Sequence, residues 1–419
     1  MLIIHNTSQL IALTPKAQSG KILGTLNPLP NGAVAIDGEK IVELGNSWQL
    51  LDKYPQADRF DAEGKALLPG FVDPHTHLIW AGDRAAEFEM RLEGKSYMEI
   101  MAAGGGIAST VKATRAASVD ELMDQARERA MACFCLGSTT IEAKTGYGLD
   151  IDTEIRQLEV ILKLNEEGPF ELVPTFMGAH AIPQEYNGDI HAYTEFLTDR
   201  ALPAVHHWWL LNAKGQPLPF VDVFCESGVF DIEHTQQILA SAHALGFPLK
   251  LHADEFANIG GASLAAKMGA SSADHLVKTS LDDIRALAYT DTVAVSLPGT
   301  PFGLGQTEYT PATAILEADG FLALATDLNP GTTWNESMQM IQAIACRYLK
   351  LTPAQALAAS TINSAKAIWR EDKVGSICPG KQADMILLRS PDYRNLSYRY
   401  GSNQVAAVIK KGRVYPQLP

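Results

Sequence analysis

Residues 73–77 read Asp73-Pro74-His75-Thr76-His77, directly after the apolar run 66–72. In an extended chain, side chains two apart point to the same side. His75 and His77 therefore aim two imidazoles at one point, and imidazole is a common ligand for zinc and iron. Two later groups stand in the same relation to apolar runs. His252 follows Pro-Leu-Lys-Leu, and Asp327 follows Phe-Leu-Ala-Leu-Ala-Thr. Three histidines and an aspartate suit a borderline divalent ion, with a remaining position for water. A cation draws that water's pKa towards neutrality, so hydroxide becomes available near pH 7. A nearby carboxylate can move the protons, and Glu255 stands three residues after His252.

Such a site needs strands that end together. Between residues 66 and 326 apolar runs alternate with amphipathic stretches such as SVDELMDQARERAMACF, DTEIRQLEVILKLNEE and DIEHTQQILASAHALG. Strand candidates lie near 66–72, 138–144, 171–177, 220–225, 248–252, 271–275, 292–297 and 321–326. Eight strands with intervening helices predict an α/β fold, a (β/α)8 TIM-like barrel whose site lies at the C-terminal strand ends. The sixth unit, SSADHL, is short and polar. The alternative, an open doubly wound sheet, lacks a Gly-x-Gly-x-x-Gly after its first strand. Five of the eleven histidines (His75, His77, His180, His252, His275) fall at predicted strand ends. The other six read as surface or capping residues. Both chain ends have a β texture with turn marks at Asn31-Gly32 and Asp37-Gly38. We expect 1–65 plus 366–419 to form a small β-sandwich domain, and 66–365 to form the barrel.

The chain of 419 residues is 46% hydrophobic and 20% charged, ordinary for a large α/β enzyme. A net charge of −14 argues against nucleic acid or an anionic membrane as partner, because both require basic surface. The five cysteines include no Cys-x-x-Cys, so a disulfide framework or cysteine zinc site is not expected. No apolar run approaches the roughly 18–20 residues that span a bilayer. These features lead us to expect a cytoplasmic protein, and we expect a homodimer.

The motif PGFVDPHTHLIWAGDR, the downstream KLHAD, the strand-end TD and the terminal GSICPGKQADMILL together resemble the amidohydrolase superfamily. AGDR, KTGYGLD and DLNPGT narrow the resemblance to the imidazolonepropionase family, over nearly the whole chain. The resemblance implies a metal-dependent hydrolase. It would open the ring of 4-imidazolone-5-propanoate to N-formimidoyl-L-glutamate in histidine degradation. It implies one divalent metal per chain, zinc or iron (Fe2+/Fe3+), on His75, His77, His252 and Asp327. It implies substrate contacts from Arg84, Tyr147, His180 and Glu255, and product contacts from Asn329, Gly331 and Thr332. Arg84 suits the substrate carboxylate as a planar two-point donor; without the motif it would read as a surface ion pair with Asp83 or Glu87. Glu255 or Asp327 would carry the proton, since the family holds glutamate or glutamine at the position of Glu255. His275 would orient the attacking water or stabilise the oxyanion.

Two other functions share this scaffold. A deaminase of aminated heterocycles would not need Arg84 and Tyr147, which suit a carboxylate-bearing ring. A non-catalytic scaffold protein would have lost metal ligands, and all four are present. Lys144, in EAKTGYG, reads as a supporting residue of a mononuclear site, not as a carbamylated bridge. Gly104-Gly105-Gly106 is not followed by Gly-Lys-Ser/Thr and reads as a loop near the barrel mouth. His206-His207-Trp208-Trp209 and Cys133-Phe134-Cys135 read as packing.

Overall fold

A computed structural model describes residues 1–95, 99–100 and 104–416. The last three residues of the expected small β domain, 417–419, lie outside the described residues.

Eight parallel strands follow one another in a single sheet. They are β1 (Phe71–Asp73), β2 (Ser138–Lys144), β3 (Glu171–Ala179), β4 (Phe220–Cys225), β5 (Leu249–Ala253), β6 (Ser272–His275), β7 (Val293–Ser296) and β8 (Leu322–Leu324). The sheet closes just beyond the ends of β1 and β8, where Thr76 bridges Leu328. The His77 N–H donates to the Leu328 carbonyl at 2.9 Å, and the Asp327 N–H donates to the His75 carbonyl at 3.1 Å. Three metal-type residues thus sit on the closing seam of a (β/α)8 barrel.

Alternation along the strands explains both core and lumen. In β2, β4 and β5, Ile141, Ala143, Val221, Val223, Leu249 and Leu251 join the large apolar core with the surrounding helices. The residues between them are Glu142, Lys144, Asp222, Lys250 and His252, all buried. Lys144 joins Glu142 and Asp222, Asp222 faces His252, and Lys250 reaches Ser272, so the barrel is polar inside near its mouth. The short β6 forms because Ser272 and Asp274 belong to this lumen while Ala273 faces the core.

The helices start where their caps predict. Ser118 and Glu121 form a capping box on Val119–Cys135. Asp150 and Asp231 cap Ile151–Glu167 and Ile232–Ala244. His206 and the tryptophans lie on the helix Leu202–Asn212, where Trp209 is buried in the core and donates to the Pro217 carbonyl at 3.1 Å. Cys133 and Phe134 are buried in the same core. One reading of the outer histidines fails. His234 is buried, accepting or donating within a chain that joins Asp231 Oδ1 at 2.7 Å and His191 Nδ1 at 2.9 Å.

The chain ends build two further sheets. One has four strands, all from 2–61. The other has six and draws Gln9–Ile11 and Pro28–Pro30 from one end and Met385–Leu388, Val405–Lys410 and Arg413–Pro416 from the other. Ile4, Leu10, Val34, Met385, Leu387 and Ile409 pack in the core they share. The apolar run 66–72 is not one barrel strand. Leu67–Pro69 pairs in the six-stranded sheet, and only Phe71–Asp73 enters the barrel. Gly70 makes the break, because a Cβ there would meet the Thr139 side chain at 2.5 Å. The whole run is buried, so hydrophobicity alone shows no division.

Candidate active site

The side chains of His75, His77, His252 and Asp327 converge at the barrel mouth, all at most 3% exposed. Asp327 Oδ1 lies 3.5 Å from His75 Nε2 and 3.6 Å from His77 Nε2. His77 Nε2 lies 3.4 Å from His252 Nε2. A tetrahedral shell with bonds of about 2.0–2.1 Å would set neighbouring donor atoms about 3.3–3.4 Å apart. His75 Nε2 is buried and makes no hydrogen bond. An orphaned buried acceptor is costly unless something binds it. His75, His77 and Asp327 could hold a metal ion together, and so could His75, His252 and His275. The cluster can therefore hold a cation.

Carboxylates behind the ring set its orientation. Asp274 Oδ2 lies 2.6 Å from His75 Nδ1. Asp222 Oδ2 lies 3.0 Å from His252 Nδ1, and Asp222 Oδ1 accepts the His252 backbone N–H at 3.1 Å. Thr300 Oγ1 donates to Asp327 Oδ2. Burial, with the Lys144 charge adding to it, holds His75 well below the usual imidazole range. Its ring is neutral, with the Nδ1 proton given to Asp274 and the Nε2 lone pair turned to the centre. Burial also depresses His77 and His275. Burial raises the Asp327 carboxyl to about 6, and a cation on its oxygen would reverse that.

Lys144 donates to Glu142 Oε1 at 2.6 Å and Asp222 Oδ2 at 2.7 Å. Burial would lower its ammonium, but Asp222, Glu142 and Asp274 raise it above its ordinary value. Lys144 thus ties Glu142 to Asp222, the carboxylate that faces His252 Nδ1. Lys250 plays the same part, reaching Ser272 Oγ at 2.7 Å and Asp274 Oδ2 at 3.2 Å. Asp222, Asp274, Thr300, Glu142 and Lys250 escaped the motif reading. Their signal was present, since Asp222 in Phe-Val-Asp-Val-Phe-Cys is an acid inside an apolar strand.

Backbone strain marks the same place. Asp327 and His275 have φ of +54° and +78°, a left-handed region that non-glycine residues rarely enter. The turn at His275 brings its Nε2 to 3.5 Å from Glu255 Oε2. Glu255 is raised well above the carboxylate range by burial, then by Asp327 and Glu226.

On one side of the metal-type cluster, His180 stacks on His77 at a centroid distance of 4.8 Å, and Tyr147 lies 5.2 Å from the His180 ring. His180 Nδ1 faces the Gly146 carbonyl at 3.0 Å. A carbonyl only accepts, so Nδ1 carries the proton and Nε2 is left as an acceptor. Burial lowers this imidazole to about 3.

Elsewhere at the mouth, Arg84, Gly331 and Thr332 line a cavity of ≈ 460 Å³ with Phe88, Phe302 and Trp334. Arg84 makes the ion pair with Glu87 that its sequence context allowed, Nε donating to Oε2 at 2.8 Å and Nη2 to Oε1. It is also pressed against Gly331, where a Cβ would collide with Nη1. Asn329 binds its own loop. Its Oδ1 accepts the N–H groups of Gly331 and Thr332, both at 2.8 Å, and its Nδ2 donates to the Asp327 carbonyl at 2.7 Å. Asn329 thereby ties the Arg84 slot to Asp327.

A barrel with a histidine–aspartate cluster at its strand ends defines a metal-dependent hydrolase of the amidohydrolase class. Models described as "Amidohydrolase family" match residues 58–125 and 234–415. The imidazolonepropionase of Herpetosiphon aurantiacus is 51% identical over 412 residues, 98% of this chain and 96% of that protein. The imidazolonepropionase of Chloroflexus aggregans is 44% identical, covering 99% and 98%. The chain belongs to the imidazolonepropionase family and is a hydrolase. Among solved structures, a triazine hydrolase variant has a TM-score of 0.76 at 16% identity, covering 99% of this chain and 94% of that one. An adenosine deaminase from Xanthomonas campestris with bound zinc has a TM-score of 0.71 at 19% identity, covering 99% and 92%. These two likenesses concern the fold.

Proposed function

We propose that one divalent cation per chain, zinc or iron, is held by His75, His77, His252 and Asp327. We propose that this centre opens the ring of 4-imidazolone-5-propanoate, giving N-formimidoyl-L-glutamate in histidine catabolism. The donor separations of 3.4–3.6 Å around an orphaned His75 Nε2 carry this reading. When bound, the cation supplies a water made acidic near neutral pH and polarisation of the ring carbonyl.

The chain's own groups do the rest. Glu255 or Asp327 accepts the water proton and passes it to the departing ring nitrogen. His275, 3.5 Å from Glu255, orients the attacking oxygen or holds the oxyanion. His180 Nε2 accepts a substrate N–H, and Tyr147 closes over the ring. Arg84 binds the propanoate carboxylate. Asn329, Gly331 and Thr332 shape the slot that keeps product and substrate against Arg84.

We assign 1–65 plus 366–419 to a small β domain and 66–365 to the barrel; the six-stranded sheet supports this, with Leu67–Pro69 lent to it from the barrel side. We propose that the protein is a homodimer. A cytoplasmic location is supported by five free cysteines, which suit a reducing compartment. Among the described residues no helix is long and apolar enough to cross a membrane.

Elemental analysis joined to an ultraviolet assay of imidazolonepropanoate loss tests the reading. Purified protein should hold close to one zinc or iron per chain, and His252→Ala should lose both metal and activity. Arg84→Gln should keep the metal but lose about 30- to 1000-fold in kcat/KM, or roughly 2–4 kcal/mol of transition-state binding. A His252→Ala protein with full metal and full activity would remove the ligand assignment.

A further inference from the structure

Glu87 is a buried carboxylate for which the reaction has given no task. It lies on the helix Ala85–Leu92, one turn after Arg84, and is 7% exposed. Its two oxygens take the Nε and Nη2 donors of Arg84. Oε2 also accepts the Gly106 N–H at 2.8 Å. The glycine run 104–106 is what permits this approach, since a Cβ on Gly105 would stand 3.2 Å from Glu87 Oε2 and closer still to Ile100.

A guanidinium has five N–H donors in one plane. Glu87 occupies the Nε/Nη2 edge. The Nη1/Nη2 end is the remaining pair with the spacing of a carboxylate. That end is set in place by Gly331, which has no Cβ to displace Nη1. Without Glu87 the guanidinium could turn either edge to a ligand, and its stem could swing.

We propose that Glu87 is a positioning and specificity-determining residue, which fixes Arg84 so that only the Nη1/Nη2 end is offered to the single carboxylate of the substrate. The proposal rests on the reading that Arg84 binds that carboxylate. It gives the glycine run a role as well: the Gly106 N–H holds the same Glu87 oxygen that Arg84 Nε reaches. Glu87 also cancels much of the arginine charge. The slot then selects for the shape of one carboxylate over the total charge of the ligand.

The test compares two substrates on the metal-loaded enzyme: imidazolonepropanoate and an imidazolone bearing an ethyl group in place of the propanoate. Glu87→Gln keeps the shape but turns an N–H2 group towards Arg84. It should raise KM for the acid about tenfold or more, with kcat within about threefold and metal content unchanged. The ethyl compound should be turned over alike by wild type and Glu87→Gln. The double variant Arg84→Gln/Glu87→Gln should be no worse than Arg84→Gln alone, because Glu87 acts through Arg84. Should Glu87→Gln fail to fold, Glu87→Asp, too short to meet both donors, carries the same expectations. A KM for the acid within twofold of wild type overturns the proposal, and so does an equal loss on both substrates. If Arg84→Gln loses as much on the ethyl compound as on the acid, relative to wild type, the carboxylate reading of Arg84 fails, and the Glu87 assignment falls with it. If Arg84→Gln loses only the acid while Glu87→Gln behaves as wild type, the Glu87 assignment alone is wrong.

Discussion

Asp274 decides which face His75 offers. Its carboxylate lies 2.6 Å from Nδ1, and a carboxylate accepts, so the proton sits there and Nε2 is free. Asparagine at this place can present its N–H2 to Nδ1 and favour the wrong tautomer. Asp274→Asn should therefore lower metal affinity by about 10- to 100-fold while leaving the fold intact. Competition against a chelator of known affinity, with circular dichroism alongside, checks this; equal affinity in both proteins would make Asp274 a packing residue. The contrast with the proposed ligands shows what a sequence discloses at this scale. The convergence of His75, His77, His252 and Asp327 was legible because each follows an apolar run. Asp222 and Asp274 perform equally specific work but sit inside strands, where their partners come from distant elements. Arg84 lay between two readings, and the structure joins them: it makes the ion pair with Glu87 and lines the cavity at the mouth.

At the scale of elements, β3 begins with Glu171, which gathers cations from the C-terminal segment. Lys373 Nζ lies 2.9 Å from Glu171 Oε1, Arg370 Nε 3.4 Å from it, and Lys410 Nζ 3.7 Å from Oε2. Burial would raise this carboxyl, but Lys410, Lys373 and Arg370 hold it down at about 2. Its folded pKa lies below the unfolded value near 4.3, so its stabilisation is full above that value and fades as pH falls towards 2. At neutral pH the shift corresponds to roughly 3 kcal/mol. Glu171→Gln should lower the urea midpoint clearly at pH 7, with the gap to wild type shrinking between about pH 4.5 and pH 2. A gap of constant size across that range would show that the ion cluster adds no pH-dependent stability. The strands themselves were readable as apolar runs, and the long helices as the amphipathic stretches between them. The division of 66–72 was not, because both halves are buried and only the close approach of Gly70 to Thr139 separates them.

For the whole molecule, the open matter is whether the barrel and the terminal sheets unfold as one. Leu67–Pro69 pairs antiparallel with Met385–Leu388 and, at Leu67, parallel with Leu10. One glycine later the chain enters β1, and His75 and His77 follow. The strand that both chain ends clamp therefore leads directly into two of the proposed metal ligands. The large core is also shared. Ile11, Leu13, Leu23 and Leu26 from one end, and Ile386, Leu388, Val405 and Val408 from the other, pack in the same cluster as Phe71, Ile141 and Phe134. Separate domains with a small polar interface could melt apart, but a common apolar core couples them. We expect a single calorimetric transition, with release of bound metal at the same temperature. Ile386 is fully buried in that cluster. Ile386→Ala should cost about 2–5 kcal/mol. It should lower this one transition as a whole, with barrel tryptophan fluorescence and metal release moving together. Two resolved transitions, only the lower one shifted by Ile386→Ala and the metal retained through it, would show that the terminal sheets are an independent attachment and that the barrel holds its site alone.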